Sequence, residues 1–487
     1  MAGRRTAGAQ LAALVVVGAL VTACTGEEPD KPTPSASATQ PPVSERPASV
    51  AWTLRDVKPI GQPVNVAGVA VGYVVKSRRL YLVGIDPRAG KELWRKEASP
   101  GEVVTGIAVQ PFFIQDKVVY QRPDRTGNLY TRIVVADPRT GEDLVVTKPL
   151  LVTSPPGDCS DGIDVCTTSR SNYRGRAVLH RLRIADGSYV AEKSDTPPGA
   201  RLVGDAGLLD LGGRDPEKLA LSRDGKLVWQ INLSSAFPTG YSTDYGWHFE
   251  HYPKQNVYVG TLHPQLSKLP NGSYVASLDN RATTAALSIA DGSVRWRSAG
   301  TDLFCRSHLY IEDPASADDG LPVRCRYRGT EKYANDTARA TFTDLDVTVE
   351  GFDIATGDTT WQVPAGRTEA LIDWDTKPAI AGATARLIRG GAEPLVLDVA
   401  TGRSVVPAAD AAFWCARRAT FDYREPYYVR GKPVRERAGG THVSVCDARG
   451  KASDRAPTMG ATAAAGAGFD TVAVVATASG FTGYRAG

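Results

Sequence analysis

The clearest copy of a recurring pattern in the sequence is Asp353-Ile354-Ala355-Thr356-Gly357-Asp358-Thr359-Thr360-Trp361. Alternating apolar residues lead into it, a polar turn closes on a glycine, and a second apolar stretch leads out. This order predicts a β-hairpin. Asp353 stands four residues before Gly357, where its carboxylate can accept N–H bonds from the turn backbone. Gly357 supplies a position where φ can be positive without steric cost.

The same pattern recurs along the chain, so the hairpin is a repeat. Aligned on the glycine, eight segments match, at Gly90, Gly141, Gly187, Gly225, Gly292, Gly357, Gly402 and Gly450. In four of them a tryptophan follows the glycine by four residues: Trp94, Trp229, Trp296 and Trp361. A fixed offset of this kind is not expected from the scattered Asp/Gly turns of an ordinary β protein. One large ring per repeat is what a stacked architecture needs to seal each unit against the next.

The spacing of the glycines indicates the architecture. Successive intervals are 51, 46, 38, 67, 65, 45 and 48 residues, and about 40 to 50 residues is the length of a four-stranded propeller blade. A β-sandwich would show turns at every strand but no motif at blade length. Helical periodicity is absent over any long stretch, so we predict an all-β propeller. The two long intervals predict insertions, around Phe237–Tyr252 and around Asp313–Thr341.

The D-x-x-T-G-x-x-x-W pattern resembles the repeat of pyrroloquinoline quinone (PQQ)-like β-propellers. The likeness covers most of residues 50–487, with degraded copies near Gly187 and Gly450. Rings of that family are often closed by strands from both termini. The resemblance therefore implies that Trp52 marks an outer strand completing one blade with Asp470–Ala478 and Gly480–Arg485. Eight blades are expected, with seven as the alternative.

The N-terminus predicts export and lipidation. Arg4 and Arg5 precede an apolar run from Leu11 to Val21, and two small residues then precede Cys24. This is the layout of a secretory signal, with the spacing of a lipobox. We expect residues 1–23 to be removed and Cys24 to carry acyl chains such as palmitate. Residues 24–49 contain almost nothing that could form a core, and they predict a disordered Pro/Ser/Thr-rich tether to a propeller over residues 50–487.

Cysteine usage is consistent with export. Cys24 is one of seven cysteines, and the even number that remains suggests disulfides in an exported chain. Six cysteines allow 15 connectivities. Proximity favours Cys159–Cys166, Cys305–Cys325 and Cys415–Cys446. Zinc is the competing interpretation, but the sequence has no C-x-x-C pair.

Charge excludes one class of partner. The formal net charge of +4 falls to about +2 when Arg4 and Arg5 leave with the signal. The basic residues form only short groups, such as Lys76 to Arg79, so nucleic acid is not an expected partner. We expect a monomer on the extracytoplasmic side of the cell membrane.

The family resemblance implies two functional alternatives. Quinoprotein dehydrogenases hold PQQ and usually calcium in the central funnel, and many pack a disulfide of adjacent cysteines on the quinone. No two cysteines are adjacent here, and no haem-attachment motif is present. Other members lack a cofactor and bind partners, which suits a rigid disc on a tether with loops on two faces. We therefore predict a non-catalytic binding or scaffolding module for protein or another cell-envelope component, without cofactor.

The densest aromatic group in the sequence is the candidate binding site. It lies in the first predicted insertion and includes Tyr245, Trp247, His248 and His251. Exposed aromatic side chains make good interface anchors, and glycan binding is a further possibility. The alternative is that the group packs the insertion onto the propeller. His248 and His251 are three residues apart, a spacing that splays the two rings on a strand.

Overall fold

The computed structural model describes residues 46–487 except the segments 100–110, 125–129, 160–161, 171–177, 193–199, 204–206, 213–215, 224, 312–320, 336–338, 373–376, 390–392, 423–426, 430–431 and 435–436. These residues belong to one compact unit, Glu45–Gly487. Its secondary structure is almost all β, with one short α-helix at Met459–Ala465. None of the helices in these ranges has the length and apolar character needed to span a bilayer.

Eight antiparallel sheets form the eight blades of a propeller, which confirms the predicted fold and blade number. Strands A to D of each blade run from the inner to the outer edge of its sheet. Blade 1 has Lys58–Pro59, Val69–Lys76, Arg79–Asp86 and Lys91–Glu97; blade 2 has Phe112–Ile114, Lys117–Pro123, Thr131–Ala136 and Asp143–Val146. Blade 3 has Leu151–Val152, Val165–Arg170, Val178–Leu182 and Tyr189–Ala191; blade 4 has Arg201–Leu202, Leu208–Asp210, Lys218–Arg223 and Lys226–Asn232.

The remaining four blades follow the same order. Blade 5 has Tyr241–Tyr252, Val257–Pro264, Thr283–Ser288 and Val294–Ala299; blade 6 has Thr301–Asp302, Val323–Tyr333, Thr341–Phe352 and Thr359–Gly366. Blade 7 has Ala379–Ile380, Ala385–Ile388, Leu395–Asp398 and Ser404–Val405; blade 8 has Ala467–Gly468, Ala473–Thr477, Gly480–Ala486 and, as its strand D, Ala48–Leu54. Short extra strands pair at the inner side of blade 1 (Val64–Val66) and blade 3 (Gly157–Asp158).

Both chain termini contribute to blade 8, as the resemblance implied. Ala48 pairs with Ala486 and Leu54 with Phe481. Trp52 lies on this closing strand, and its indole N–H donates to the carbonyl of Pro87 in blade 1 at 2.8 Å. The N-terminal strand therefore joins the two ends of the ring.

The repeated tryptophans seal neighbouring blades. Each lies on a strand D, and its ring covers the turn glycine of the next blade: Trp52 on Gly90, Trp94 on Gly141, Trp229 on Gly292, Trp296 on Gly357 and Trp361 on Gly402. All of these glycines have positive φ. The indole N–H of Trp94 also donates to Pro138 O at 2.7 Å, and those of Trp52, Trp229 and Trp296 donate to backbone carbonyls of the next blade in the same way. These four rings are held by the edge as well as by the face. Where blade 2 lacks the tryptophan, Val145 lies against Gly187.

The polar turn works as the sequence predicts. The Asp353 carboxylate accepts the N–H bonds of Ala355 and Thr356, at 2.8 and 2.9 Å. Asp86 and Asp137 make the equivalent pairs of bonds in blades 1 and 2.

Strand direction defines two faces of the ring. Because the strands of a blade alternate in direction, the A–B and C–D turns leave by one end, and the B–C loops and the links between blades leave by the other. We call these ends the C–D face and the B–C face. The chain enters the ring at Ala48, on the C–D face, and strand D of blade 8 carries it to Leu54 on the B–C face.

The first insertion was predicted at the wrong position in the chain. Tyr241–Tyr252 is strand A of blade 5, an ordinary blade element. The extra length of this interval lies instead in the B–C loop of blade 5. There the hairpin Ser267–Lys268/Tyr274–Ser277 pairs with the B strand of blade 6, Val323–Tyr333. Of the second predicted insertion, residues 313–320 and 336–338 lie outside the described ranges, and the described remainder extends strands B and C of blade 6.

A long hairpin extends the sheet of blade 7 beyond strand A, toward the middle of the ring. Its strands are Phe413–Asp422 and Arg437–Cys446, and we call it the central hairpin. Its far strand contacts blade 1, where His442 Nε2 lies 2.6 Å from Pro59 O. The turn at Gly450, matched by sequence to a blade repeat, follows this hairpin and is not the C–D turn of a blade. Blade 8 has no continuous C–D turn, because its C and D strands come from opposite ends of the chain.

Candidate functional site

The aromatic residues singled out in the sequence lie on strand A of blade 5. Tyr245 is 43% exposed, whereas Trp247 packs against the apolar cluster between blades 4 and 5 that includes Phe249 and Leu262. His248 and His251 point to opposite sides of the strand. Among these candidates, Tyr245 is therefore the side chain best placed to meet a partner.

Tyr245 belongs to an excursion of four residues in strand A. The register pairs Ser242 with His263 and then Trp247 with Leu262, so residues 243–246 have no partners on strand B. Gly246 has a φ of 117° in this segment. Irregularities of this kind re-aim side chains and are common beside binding sites.

A polar network from blade 4 fixes the excursion. Arg201 donates to the Asp244 carboxylate at 2.8 Å and to Thr243 Oγ1. The Thr243 hydroxyl lies 2.8 Å from both Asp210 Oδ2 and Glu217 Oε1. Burial opposes the charge of Arg201, but its bonds to Asp210 and Asp244 raise its pKa above the ordinary value. The loop at Tyr245 is thus held rigidly at the B–C face.

Below the excursion, strand A carries a buried ionic cluster. His248 Nε2 lies 2.7 Å from Glu250 Oε1, and the Tyr252 hydroxyl and Arg306 guanidinium both donate to Glu250 Oε2. Burial alone would raise the pKa of Glu250, but the charge of Arg306 and the bonds from its neighbours hold that pKa below its usual value. Burial and the Glu250 charge raise the pKa of Tyr252. The Glu250 carboxylate therefore stays ionised and bonded to its neighbours, and its role is structural.

Sequence reasoning missed a second buried pair beside this cluster. His263 Nε2 lies 3.0 Å from Asp302 Oδ2, and Phe304 packs between the rings of His248 and His263. Burial would raise the pKa of Asp302, but the charge of His263 and its hydrogen bond lower it. These residues are 39 apart in sequence, and no local motif connects them.

His248 and His251, three residues apart in the sequence, are not brought together as a pair of ligands. His248 is bonded to Glu250, whereas the ring of His251 stacks on Tyr258 with centroids 5.0 Å apart. In the described ranges, no group of three or more His, Cys, Asp and Glu side chains is arranged to hold a metal ion.

The six ring cysteines form three local disulfides. Cys159–Cys166 closes a hairpin of blade 3, and Cys305–Cys325 ties the 3-10 turn Phe304–His308 to strand B of blade 6. Cys415–Cys446 closes the base of the central hairpin. The lipidation candidate Cys24 and the rest of residues 1–45 lie outside the described residues.

Comparison with known proteins agrees with the repeat. Residues 217–410, from blade 4 to the end of blade 7, match the family model described as outer membrane protein assembly factor BamB. This segment is made of PQQ-like repeats, and the described chain as a whole folds as an eight-bladed β-propeller. No curated protein matches the sequence.

Solved structures resemble the chain at low identity. BamB from Moraxella catarrhalis is 14% identical, with 90% of this chain and 99% of that one covered and a TM-score of 0.35. Quinohemoprotein alcohol dehydrogenase from Comamonas testosteroni is 12% identical, with 84% and 77% covered and a TM-score of 0.39. The first of these proteins is described as an assembly factor and the second as an alcohol dehydrogenase.

Proposed function

We propose that this chain is a membrane-tethered, extracytoplasmic propeller that binds a protein of the cell envelope and is not an enzyme. The excursion at residues 243–246 is the observation that carries the proposal. It presents an exposed tyrosine on a backbone that Arg201 and its partners hold in place. A rigid aromatic anchor with a polar rim is the usual core of a protein interface. The description of the matching family, an assembly factor, supports a protein as the partner.

The titratable side chains of strand A support a binding role. Glu250, Arg306 and Tyr252 bond to one another inside the blade interface. A general acid or base must have its reactive atom within reach of a substrate. Here the Glu250 carboxylate accepts hydrogen bonds from Tyr252 and Arg306 inside the protein. These bonds stabilise the junction of blades 5 and 6.

The central hairpin argues against the quinoprotein alternative. In dehydrogenases of this family the cofactor lies in the central funnel. In this chain the central hairpin continues the sheet of blade 7 inward. It therefore occupies the inner side of the ring at blades 7, 8 and 1. Its Val443 packs with Val475 of blade 8, and a Cβ on Gly440 would lie 1.2 Å from Ile60 O.

The distribution of irregular elements over the ring supports one face as the binding face. The chain enters the ring on the C–D face, whereas the excursion of blade 5 and the extended hairpins of blades 5 and 6 lie on the B–C face. The B–C face therefore presents the irregular elements that a partner could recognise.

Photo-crosslinking in cells tests the proposal. A benzoylphenylalanine replacing Tyr245 should crosslink to one dominant envelope protein. The matched control replaces Ala355, an exposed residue of a C–D turn, and should not capture that protein. Capture of the same protein from both positions, or of none from position 245, would contradict the proposed interface.

A separate measurement tests the enzyme alternative. The purified chain is mixed with PQQ and calcium, and the absorbance of bound quinone and dye-linked oxidation of alcohols and sugars are followed. We expect neither signal. Stoichiometric quinone binding with oxidation would replace the binding role with a dehydrogenase.

A further inference from the structure

A cleft opens on the B–C face where the ring closes. It has a volume of about 610 Å³ and is formed by three segments: residues 55–58, residues 75–78, and the central hairpin at Thr420 and Asp422. The first segment links strand D of blade 8 to blade 1, and the second is the B–C turn of blade 1. A volume of several hundred Å³ suits a small ligand or a headgroup.

Cations dominate the walls of this cleft. Arg55, Lys58, Lys76 and Arg78 contribute four positive charges, and Asp56 and Asp422 offset two of them. Within the described ranges, no hydrogen bond or ion pair engages the side chains of Arg55, Lys58 or Lys76. Cations gathered from separate segments repel one another, so an anion bound between them would stabilise this arrangement.

The backbone under these cations is fixed. Lys58 pairs with Val75 in the sheet, and Val57 N donates to Arg55 O at 2.8 Å in a tight turn. Gly480 allows strand D of blade 8 to approach closely, because a Cβ there would lie 2.0 Å from Leu54 O. The charged side chains therefore extend from a pre-organised frame.

The turn that carries Lys76 and Arg78 has an unusual conformation. Ser77 and Arg78 have φ values of 50° and 58°, which are left-handed conformations that Asn and Gly adopt more easily. Strained turns persist where the surrounding structure holds them, and they concentrate at binding sites. The turn retains an arginine at its tip where an Asn-Gly pair would be less strained.

We propose that this cleft binds a phosphate-bearing ligand. The walls carry a net charge of +2, opposite in sign to that of a phosphate group, and lysine and arginine are side chains that bind phosphate. The phosphate can come from a soluble ester or from an anionic lipid headgroup. The site goes beyond the proposed protein partner and does not depend on it, since Tyr245 plays no part in the cleft.

Titration calorimetry on the full chain in a neutral detergent tests the site. The probes are glycerol 3-phosphate, dihexanoylphosphatidylglycerol, and dihexanoylphosphatidylcholine as the uncharged reference. The double variant Lys58→Gln/Lys76→Gln removes two exposed cations of the cleft. Its control, Lys91→Gln/Lys226→Gln, makes the same charge change at exposed residues beside two C–D turns on the other face.

We expect one site per chain for at least one anionic probe. The cleft variant should weaken its Kd tenfold or more, and the control should change it less than threefold. Binding of glycerol 3-phosphate indicates a soluble ester, and binding of phosphatidylglycerol alone indicates a headgroup. Equal weakening by both variants, binding of phosphatidylcholine equal to that of the anionic lipid, or no binding of either anion would overturn the proposal. The crosslinking result at Tyr245 is unaffected by any of these outcomes.

Discussion

At the scale of single residues, the ring is assembled by pairing a tryptophan with a glycine of the next blade. The glycine is required twice over at these positions. Its φ is positive, and its face is covered by the indole: at Gly141, φ is 68° and a Cβ would lie 2.6 Å from Trp94 Cγ. The motif thus encodes both the turn within one blade and the contact between two.

Two glycine variants separate these requirements. Gly68→Ala changes a turn with a φ of 83° that has nothing within 4 Å of the new methyl group, and it should cost about 1–2 kcal/mol from backbone strain alone. Gly141→Ala should cost about 1–3 kcal/mol more, because it also displaces Trp94. Chemical denaturation measures both free energies of unfolding. Equal losses would show that the contact with the indole adds no stability.

The ionic cluster of blade 5 gives a second prediction at this scale. Glu250→Gln should lower the free energy of unfolding by about 3–5 kcal/mol, because it leaves Arg306 buried without its counter-charge. Asp410→Asn is the control. It breaks an exposed ion pair with Arg455 and should cost less than about 1 kcal/mol. A similar small loss for both variants would contradict the structural role of Glu250.

At the scale of elements, the central hairpin ties the last blades to the first. Gln62 of blade 1 donates to Thr441 O at 2.7 Å and to Ala476 O at 3.1 Å, so one side chain joins blade 1, the hairpin and blade 8. Gly440 lets the hairpin backbone meet Ile60, and Cys415–Cys446 closes its base. The hairpin therefore reinforces the closure made by Ala48–Leu54.

The hairpin should make stability depend on pH through His442. Burial lowers the pKa of this imidazole below the ordinary 6.5, although its bond to Pro59 O opposes the shift. As the pH falls below about 6.5, the unfolded chain binds the proton first, and the free energy of unfolding decreases. Thermal unfolding at pH 7.5 and 5.5 should show a smaller acid loss in His442→Gln than in the parent. An identical acid loss would assign the effect to other groups.

At the scale of the whole molecule, the structure has two unlike faces. The C–D face carries the repeated glycine turns and the point where the chain enters the ring. The B–C face carries the excursion at Tyr245, the extended hairpins and the basic cleft. Loops and irregular segments carry recognition on a rigid scaffold, so the B–C face is the one we expect partners to contact.

Cys24→Ala tests the anchor itself. The variant should move from the membrane fraction to the soluble fraction, because the acyl chains that retain the protein would be missing. Its unfolding midpoint should stay that of the parent, since the ring is built from residues beyond the tether. A variant that remains in the membrane fraction would assign retention to the apolar signal segment.

Local patterns in the sequence were enough to predict the repeat and its turn chemistry: an Asp four residues before a Gly and a Trp four residues after it. The closure of the ring by both ends of the chain was implied by the family resemblance that this repeat carries. The local disulfide pairing follows for the same reason, because Cys159 and Cys166 are only seven residues apart. Short-range geometry needs no knowledge of the rest of the chain.

The meeting places of the other polar and aromatic residues follow from long-range strand pairing and could not be predicted from local patterns. The long interval before Gly292 suggested an insertion at Tyr241–Tyr252, but strand pairing makes it the inner strand of blade 5 and puts the extra residues at Ser267–Ser277. The basic cleft joins residues near 58, 76 and 420, and Gln62 bonds to a residue 414 positions away. Such contacts depend on which strands become neighbours when the ring closes, and no local pattern in the sequence carries that information.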